Sequence, residues 1–193
     1  MNAPPKLLDQ RRVALEEAFF AIEDARRRET LRDRMKQEGD AAALARACGM
    51  PASPEVLAPL VRHGVTAETL PALFLVPLLA VAWADDQLSR TERLELLAQA
   101  RDMGVEPGSP CHELLGCWLE SRPEPALFEA WRAYAAALCE ALDEEQRDAV
   151  AGAVLWRARQ VARADGGVLR VGRRVSAAER RELHDLARAL GSR

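Results

Sequence analysis

One motif occurs twice in the chain, once near the middle and once near the C-terminus. Each copy has an apolar stretch that ends in Ala-Asp, then a connection, then a Ser-x-x-Glu-Arg sequence and further apolar residues. An internal repeat constrains the fold strongly, because each copy forms the same supersecondary unit. The two copies here predict two helix–turn–helix units. The matching residues are Val81, Ala82, Ala84, Asp85, Ser89, Glu92, Arg93, Glu95 and Leu96 in the first copy and Val161, Ala162, Ala164, Asp165, Ser176, Glu179, Arg180, Glu182 and Leu183 in the second.

The Ser-x-x-Glu sequence in each copy is a capping box, which is typical of a helix start. The serine hydroxyl accepts a hydrogen bond from an N–H of the first turn, and the glutamate carboxylate accepts one from the N–H of the serine. Ser89 with Glu92, and Ser176 with Glu179, are therefore predicted to begin two helices.

The aspartate that ends the first helix of each copy has no such local explanation. Asp85 and Asp165 are predicted at helix C-termini, where a carboxylate opposes the helix dipole. The step from aspartate to serine is four residues in the first copy and eleven in the second, so the second copy carries an insertion. Some other interaction must favour the aspartates, either a bound cation or a bracing role within the turn.

The repeated run Ala-Asp-x-x-(Leu/Val)-Ser-x-x-Glu-Arg resembles the TerB-like family of bacterial tellurite-resistance-associated proteins. The resemblance covers residues 66–190. It implies a compact all-α domain with two pseudo-symmetric helical repeats and with acidic positions that bind a divalent metal. Asp86 stands where the family more often has glycine. The chain also adds an N-terminal helical extension, so we divide it into residues 1–65, the extension, and residues 66–193, the TerB-like domain.

Helix start and stop signals predict that the rest of the chain is helical as well. Starts are indicated by Ser53-Pro54, by Thr69 with Pro71, by Ser109-Pro110 and by Asp143 with Gln146. The stretch Leu70 to Ala84 is apolar on nearly all sides, which is typical of a buried helix. The fold class predicted from the sequence is all-α.

Composition narrows the classes of protein that fit. The 193 residues are 49% apolar and 30% charged, with a net charge of −3, which gives no global attraction to nucleic acid or to an anionic membrane. No uncharged run reaches the about 20 residues of a membrane span, and the N-terminus lacks the apolar core of a signal peptide. We therefore expect a cytoplasmic protein without a membrane span. Four cysteines without C-x-x-C spacing indicate neither a zinc site nor a disulfide framework.

The acidic turns and capping boxes provide the candidate metal ligands. If the repeats bring the two turns together, several carboxylate oxygens would converge, an arrangement that suits Ca²⁺ or Mg²⁺ rather than a soft metal. The alternative is that each acid braces or caps its own turn. The candidate ligands are Asp85, Asp86, Glu92, Asp165 and Glu179.

The sequence favours a protein that is not an enzyme, because it contains no recognised catalytic motif. We expect a cytoplasmic interaction or divalent-metal-sensing module, and the resemblance implies a connection to tellurite, envelope or oxidative stress. The alternative is a metal-dependent enzyme that uses the acidic turns at Asp85 and Asp165. A DNA-associated regulator is disfavoured by the net charge. A protein partner or self-association is expected, and nucleic acid is not.

Overall fold

The fold is seen in a computed structural model, which describes residues 26–27, 30, 33, 35–49, 53–164 and 175–191. The chain forms two compact units, residues 1–39 and residues 40–193. The described residues of the first unit are helical. The second unit is the larger of the two. Its helices are α1 (Pro54–Arg62), α2 (Ala72–Ala82), α3 (Arg90–Asp102), α4 (Pro110–Glu120), α5 (Pro125–Ala141), α6 (Glu144–Ala164) and α7 (Ala177–Ala189).

All regular structure in the described part of the chain is α-helical, and these ranges contain no strand, so the all-α prediction is confirmed. The predicted helix starts at Ser53, Ser89, Ser109 and Ser176 are N-caps in the structure. The prediction for Thr69 was wrong, because α2 begins later, at Ala72. The Thr69 hydroxyl instead donates to the carbonyl of Gly64 at 2.7 Å and accepts the N–H of Thr66, and these bonds hold the preceding turn.

Helix α2 forms the centre of the core. Ten of its eleven residues are buried, and it packs against α3, α4, α5, α6 and α7. The buried indole N–H of Trp131 in α5 donates to the carbonyl of Leu73 at 2.7 Å. The predicted buried helix is therefore present. In the described ranges no helix is both long and apolar enough to span a bilayer.

The second unit starts before the repeat domain that the sequence indicated. Residues 40–48 are helical and contribute the buried side chains of Ala41 and Leu44, and this helix ends at Gly49 with a φ of 63°. Helix α1 packs against α5. The compact unit begins at Asp40, and the TerB-like domain boundary at residue 66 stays a prediction.

Helices α3 and α7, which the two capping boxes begin, belong to one helical layer around α2. Helix α3 packs on α2 and α6, and α7 packs on α2, α5 and α6. The four cysteines are free, as the sequence indicated. Cys111 is buried and Cys117 is exposed.

Candidate functional site

Both predicted capping boxes are present. At the start of α3 the Ser89 hydroxyl accepts the N–H of Glu92 at 3.2 Å, and the Glu92 carboxylate accepts the N–H of Ser89 at 2.9 Å. At the start of α7 the Ser176 hydroxyl accepts the N–H of Glu179 at 3.0 Å, and the Glu179 carboxylate accepts the N–H of Ser176. Each glutamate therefore satisfies an N–H group that would otherwise lack a partner in the helix.

The two glutamates are also buried, and each lies in the neighbourhood of the other. Glu92 is 4% exposed and Glu179 is 6% exposed. The Glu179 carboxyl group lies near enough to Glu92 to raise its pKa, through a side-chain hydrogen bond and through charge repulsion. Two neighbouring carboxylates repel when both are charged, and a single proton or a cation between them removes the repulsion. The start of α3 and the start of α7 therefore form one shared acidic site.

The electrostatics of this site favour a protonated Glu92 in the absence of a cation. Burial, the largest cause, raises the pKa of Glu92, and the neighbouring Glu179 raises it further. The hydrogen bonds from Ser89 act in the opposite direction. The net effect raises the pKa of Glu92 from 4.5 to about 7.

The acidic turn between α2 and α3 lies at the surface. Asp85 is exposed, and its carboxylate accepts the N–H of Gln87 at 3.2 Å. Asp86 is exposed too and has a φ of 65°, in the left-handed region that favours glycine. Its carboxylate forms an ion pair with Arg122. Asp85 thus forms a hydrogen bond within its own turn, whereas Asp86 pairs with a residue that follows α4.

The structure brings together two of the five predicted metal ligands. Glu92 and Glu179 lie near each other, whereas Asp85 and Asp86 make the separate surface contacts given above. Asp165 lies outside the described residues. Within the part of the chain that is described, no group of three or more His, Cys, Asp or Glu side chains is arranged to hold a metal. A cation between the two glutamates would therefore need further oxygens from hydroxyls, from the backbone or from water.

Two hydroxyl groups lie in the helix turn that contains the first glutamate. The hydroxyls of Ser89 and Thr91 lie 3.1 Å apart in the first turn of α3. Thr91 is exposed. The sequence analysis did not single out Thr91, although Thr91 lies between the two capping-box residues Ser89 and Glu92.

Two further contacts, also missed in the sequence, fix the first repeat against α4. The indole N–H of Trp83 donates to the carbonyl of Trp118 at 3.0 Å, and the Arg93 guanidinium donates to the carbonyl of Leu119. Trp83 lies just before the acidic turn, and Arg93 lies just after Glu92. The two hydrogen bonds therefore attach the chain to α4 on both sides of the acidic turn. The only signal in the sequence was the presence of long donor side chains on both flanks of the turn.

A polar cleft of about 320 Å³ lies next to the acidic turn. Arg132 and Glu182 form an ion pair of 2.5 Å across it, between α5 and α7. The residues that line it include Ala84 and Arg122 but neither Glu92 nor Glu179. The acidic pair therefore lies in the helix packing and not in the wall of this cleft.

No protein-family model matches the chain. No curated protein matches it. No solved structure matches it either.

Proposed function

We propose that the protein is a non-enzymatic TerB-like module that senses a divalent cation through Glu92 and Glu179. The observation that carries the proposal is the proximity of these two buried carboxyl groups. Hydrogen bonds from the two N-caps hold one oxygen of each group in place. Below the pKa of Glu92 a proton removes the repulsion within a pair that is fixed and desolvated in this way, and above that pKa a cation would take the place of the proton.

The donors favour a hard cation. Carboxylate and hydroxyl oxygens suit Ca²⁺ and Mg²⁺, and Ca²⁺ accepts incomplete protein ligation better because its coordination is flexible. Glu92 and Glu179 would supply one oxygen each. The Ser89 hydroxyl lies in the same turn as Glu92 and is a candidate for an additional oxygen.

Binding at this position would act on the fold as a whole. Helices α3 and α7 begin at the pair, and both pack on the buried helix α2. A cation that binds only the folded state stabilises it by about 2.7 kcal/mol at a hundredfold excess over the dissociation constant. Cation binding would thereby tighten the junction of the two repeats, which is the response that a sensing module requires.

A metal-dependent enzyme is the second candidate, and one observation favours it. The cleft beside Ala84 and Arg122 is polar and has the size of a small-molecule site. However, Glu92 and Glu179 do not line it, so a substrate in this cleft would not touch the acidic pair. We therefore favour the module over the enzyme.

The test is a calorimetric titration of Ca²⁺ and of Mg²⁺ into the protein and into the variants Glu92→Gln and Glu179→Gln. Glutamine also serves at this position of a capping box, so each variant removes charge and keeps the cap. Asp143 and Gln146 form such a box at the start of α6 of this chain. We expect the parent protein to bind one cation and each variant to lose it.

The matched control is Glu113→Gln. Glu113 is exposed in the first turn of α4, another helix with a serine N-cap, and lies outside the pair. This variant should bind the cation as the parent does. Uptake that survives in Glu92→Gln, or no uptake by the parent protein, would refute the proposal.

A further inference from the structure

Helix α6 buries one face in the core and leaves the opposite face exposed. Its buried side, which includes Val154, Ala158 and Val161, faces α2, α3 and α7. The exposed side carries residues at alternating steps of four and three, the spacing at which one helix meets another along a seam. This exposed stripe consists of Glu145, Ala149, Gly152, Trp156, Arg159 and Arg163.

The middle of the exposed stripe combines a very small and a very large residue. Trp156 is 55% exposed, and Arg157 lies beside its ring, 5.9 Å from the centroid. One turn earlier, Gly152 has nothing within 4 Å of the position that a Cβ would occupy. Glycine inside a helix costs about 1 kcal/mol relative to alanine, and the single chain offers no reason for it here. The space over Gly152 therefore fits a large side chain from another molecule.

A groove beside Gly152 gives that side chain a place to bind. The groove has a volume of about 620 Å³ and lies between α6 and Gly191 at the end of α7. Leu155 contributes apolar surface, and Asp148 and Arg159 lie at its edges. An indole ring combines apolar area with an N–H donor and suits a groove of this mixed character.

Charge along the exposed stripe specifies the direction of a second helix. The N-terminal end carries Glu145, and the C-terminal part carries Arg159 and Arg163. This order of charges suits the dipole of α6 itself. It also makes the stripe of one copy complementary in charge to the stripe of a second copy that runs in the opposite direction. A parallel second copy would place like charges together, whereas an antiparallel copy places opposite charges together.

An antiparallel pair centred on Val154 matches every position of the stripe. Glu145 and Arg163 are nine residues on either side of the centre, and Gly152 and Trp156 are two residues on either side. Glu145 of one copy thus faces Arg163 of the other, and Trp156 of one copy covers Gly152 of the other. The same relation holds in both directions, as a twofold interface requires.

We propose that the protein self-associates through the exposed stripe of α6, antiparallel, with Trp156 of each copy packed over Gly152 of the other. The interface uses no residue of the acidic pair, so it stands independently of cation binding. One helix pair buries less area than a standard interface, so we expect dissociation in the range of about 1–100 µM.

The test is sedimentation velocity of the full chain over a concentration series up to about 300 µM, which exceeds that range. Trp156→Ala should weaken dimerisation at least about tenfold, because a central aromatic anchor carries much of the energy of an interface. Leu94→Ala is the control, since Leu94 is 56% exposed on α3 and lies outside the stripe. It should leave the dimer unchanged.

A charge exchange makes the test specific for the antiparallel register. E145R and R163E should each weaken dimerisation about tenfold, because each places like charges opposite one another. The double variant E145R/R163E restores opposite charges at both ends and should recover most of the affinity. All of these side chains are exposed, so the variants leave the core intact.

Three outcomes would overturn the proposal. The first is a parent protein that stays monomeric at every concentration, which would leave the stripe to a different partner. The second is a dimer that Trp156→Ala does not weaken. The third is a double variant that dimerises no better than either single charge reversal.

Discussion

The carboxyl group of Glu179 lies near enough to that of Glu92 to raise its pKa, although each already completes a capping box at the start of its own helix. The local role explains why each position holds glutamate. The proximity of the two is a separate property of the fold, because either glutamate could cap its helix while pointing away from the other. Both side chains are at least nine-tenths buried, so bulk water only weakly screens the repulsion between the two carboxylates.

The first prediction concerns the cost of this pair when no cation is added. At pH 8 and in the presence of a chelator, Glu92→Gln should raise the free energy of unfolding by about 2 kcal/mol, because it removes a buried charge and keeps the capping hydrogen bond. Urea denaturation measures the change, with Glu113→Gln as the control that should differ little from the parent. A Glu92→Gln protein that unfolds at lower urea concentration would contradict the account.

The second prediction concerns pH. Folded Glu92 keeps its proton up to a pKa of about 7, whereas the unfolded chain loses it near 4.5. Between these values the folded state binds more protons, so the contribution of Glu92 to the free energy of unfolding falls as the pH rises, by about 3 kcal/mol in total. Below 4.5 and above 7 this contribution stays constant.

Comparison with Glu92→Gln isolates that contribution from those of other groups. The stability advantage of Glu92→Gln over the parent should grow between pH 4.5 and pH 7 and then level off. Urea denaturation at a series of pH values and constant ionic strength measures it. An advantage that does not change with pH would show that Glu92 titrates normally.

The third prediction concerns the caps. Ser89→Ala and Ser176→Ala should each lower the free energy of unfolding by about 1 kcal/mol, because each removes the hydroxyl that accepts an N–H of the first turn. Ser53→Ala is the matched control, since Ser53 occupies the N-cap of α1 without a side-chain capping bond. Thermal or urea unfolding should show little change for this control. Equal losses in all three variants would contradict the capping roles.

The fourth prediction concerns Asp86, which has a φ of 65°. Asp86→Gly should be neutral or slightly stabilising, because it relieves the backbone and loses only an exposed ion pair with Arg122. Asp86→Ala loses the same ion pair and keeps the backbone cost, so it should be less stable than Asp86→Gly by about 1 kcal/mol. Thermal unfolding distinguishes the two. Identical stabilities would mean that the turn changes conformation in the variants.

The sequence predicted the local features of this fold well. The capping boxes at Ser89 and Ser176 and the buried helix at residues 72–82 follow from spacing and from apolar content, which act over a few residues. Thr69 was misread because its hydroxyl bonds to the preceding residues Thr66 and Gly64, whereas the hydroxyl of an N-cap accepts an N–H that follows it.

The contacts between distant parts of the chain were not predictable in the same way. The Glu92–Glu179 pair, the Trp83 hydrogen bond to Trp118 and the Asp86 ion pair all join different helices or their connecting segments. Their formation depends on how the helices pack around α2, and periodicity within one helix does not encode that packing. The repeat indicated that the two acidic turns would be equivalent, but it did not indicate which acids would meet.

The most direct measurement of the central claim is an anomalous difference map from crystals grown with Mn²⁺, which prefers the same oxygen ligands as Ca²⁺ and Mg²⁺. We predict a peak between Glu92 and Glu179, with an oxygen of each carboxylate about 2.0–2.6 Å from the ion. Crystals of Glu92→Gln grown under the same conditions should lack this peak. A parent-protein map without density between the two carboxyl groups, at a pH above the pKa of Glu92, would contradict the claim that this pair binds a divalent cation.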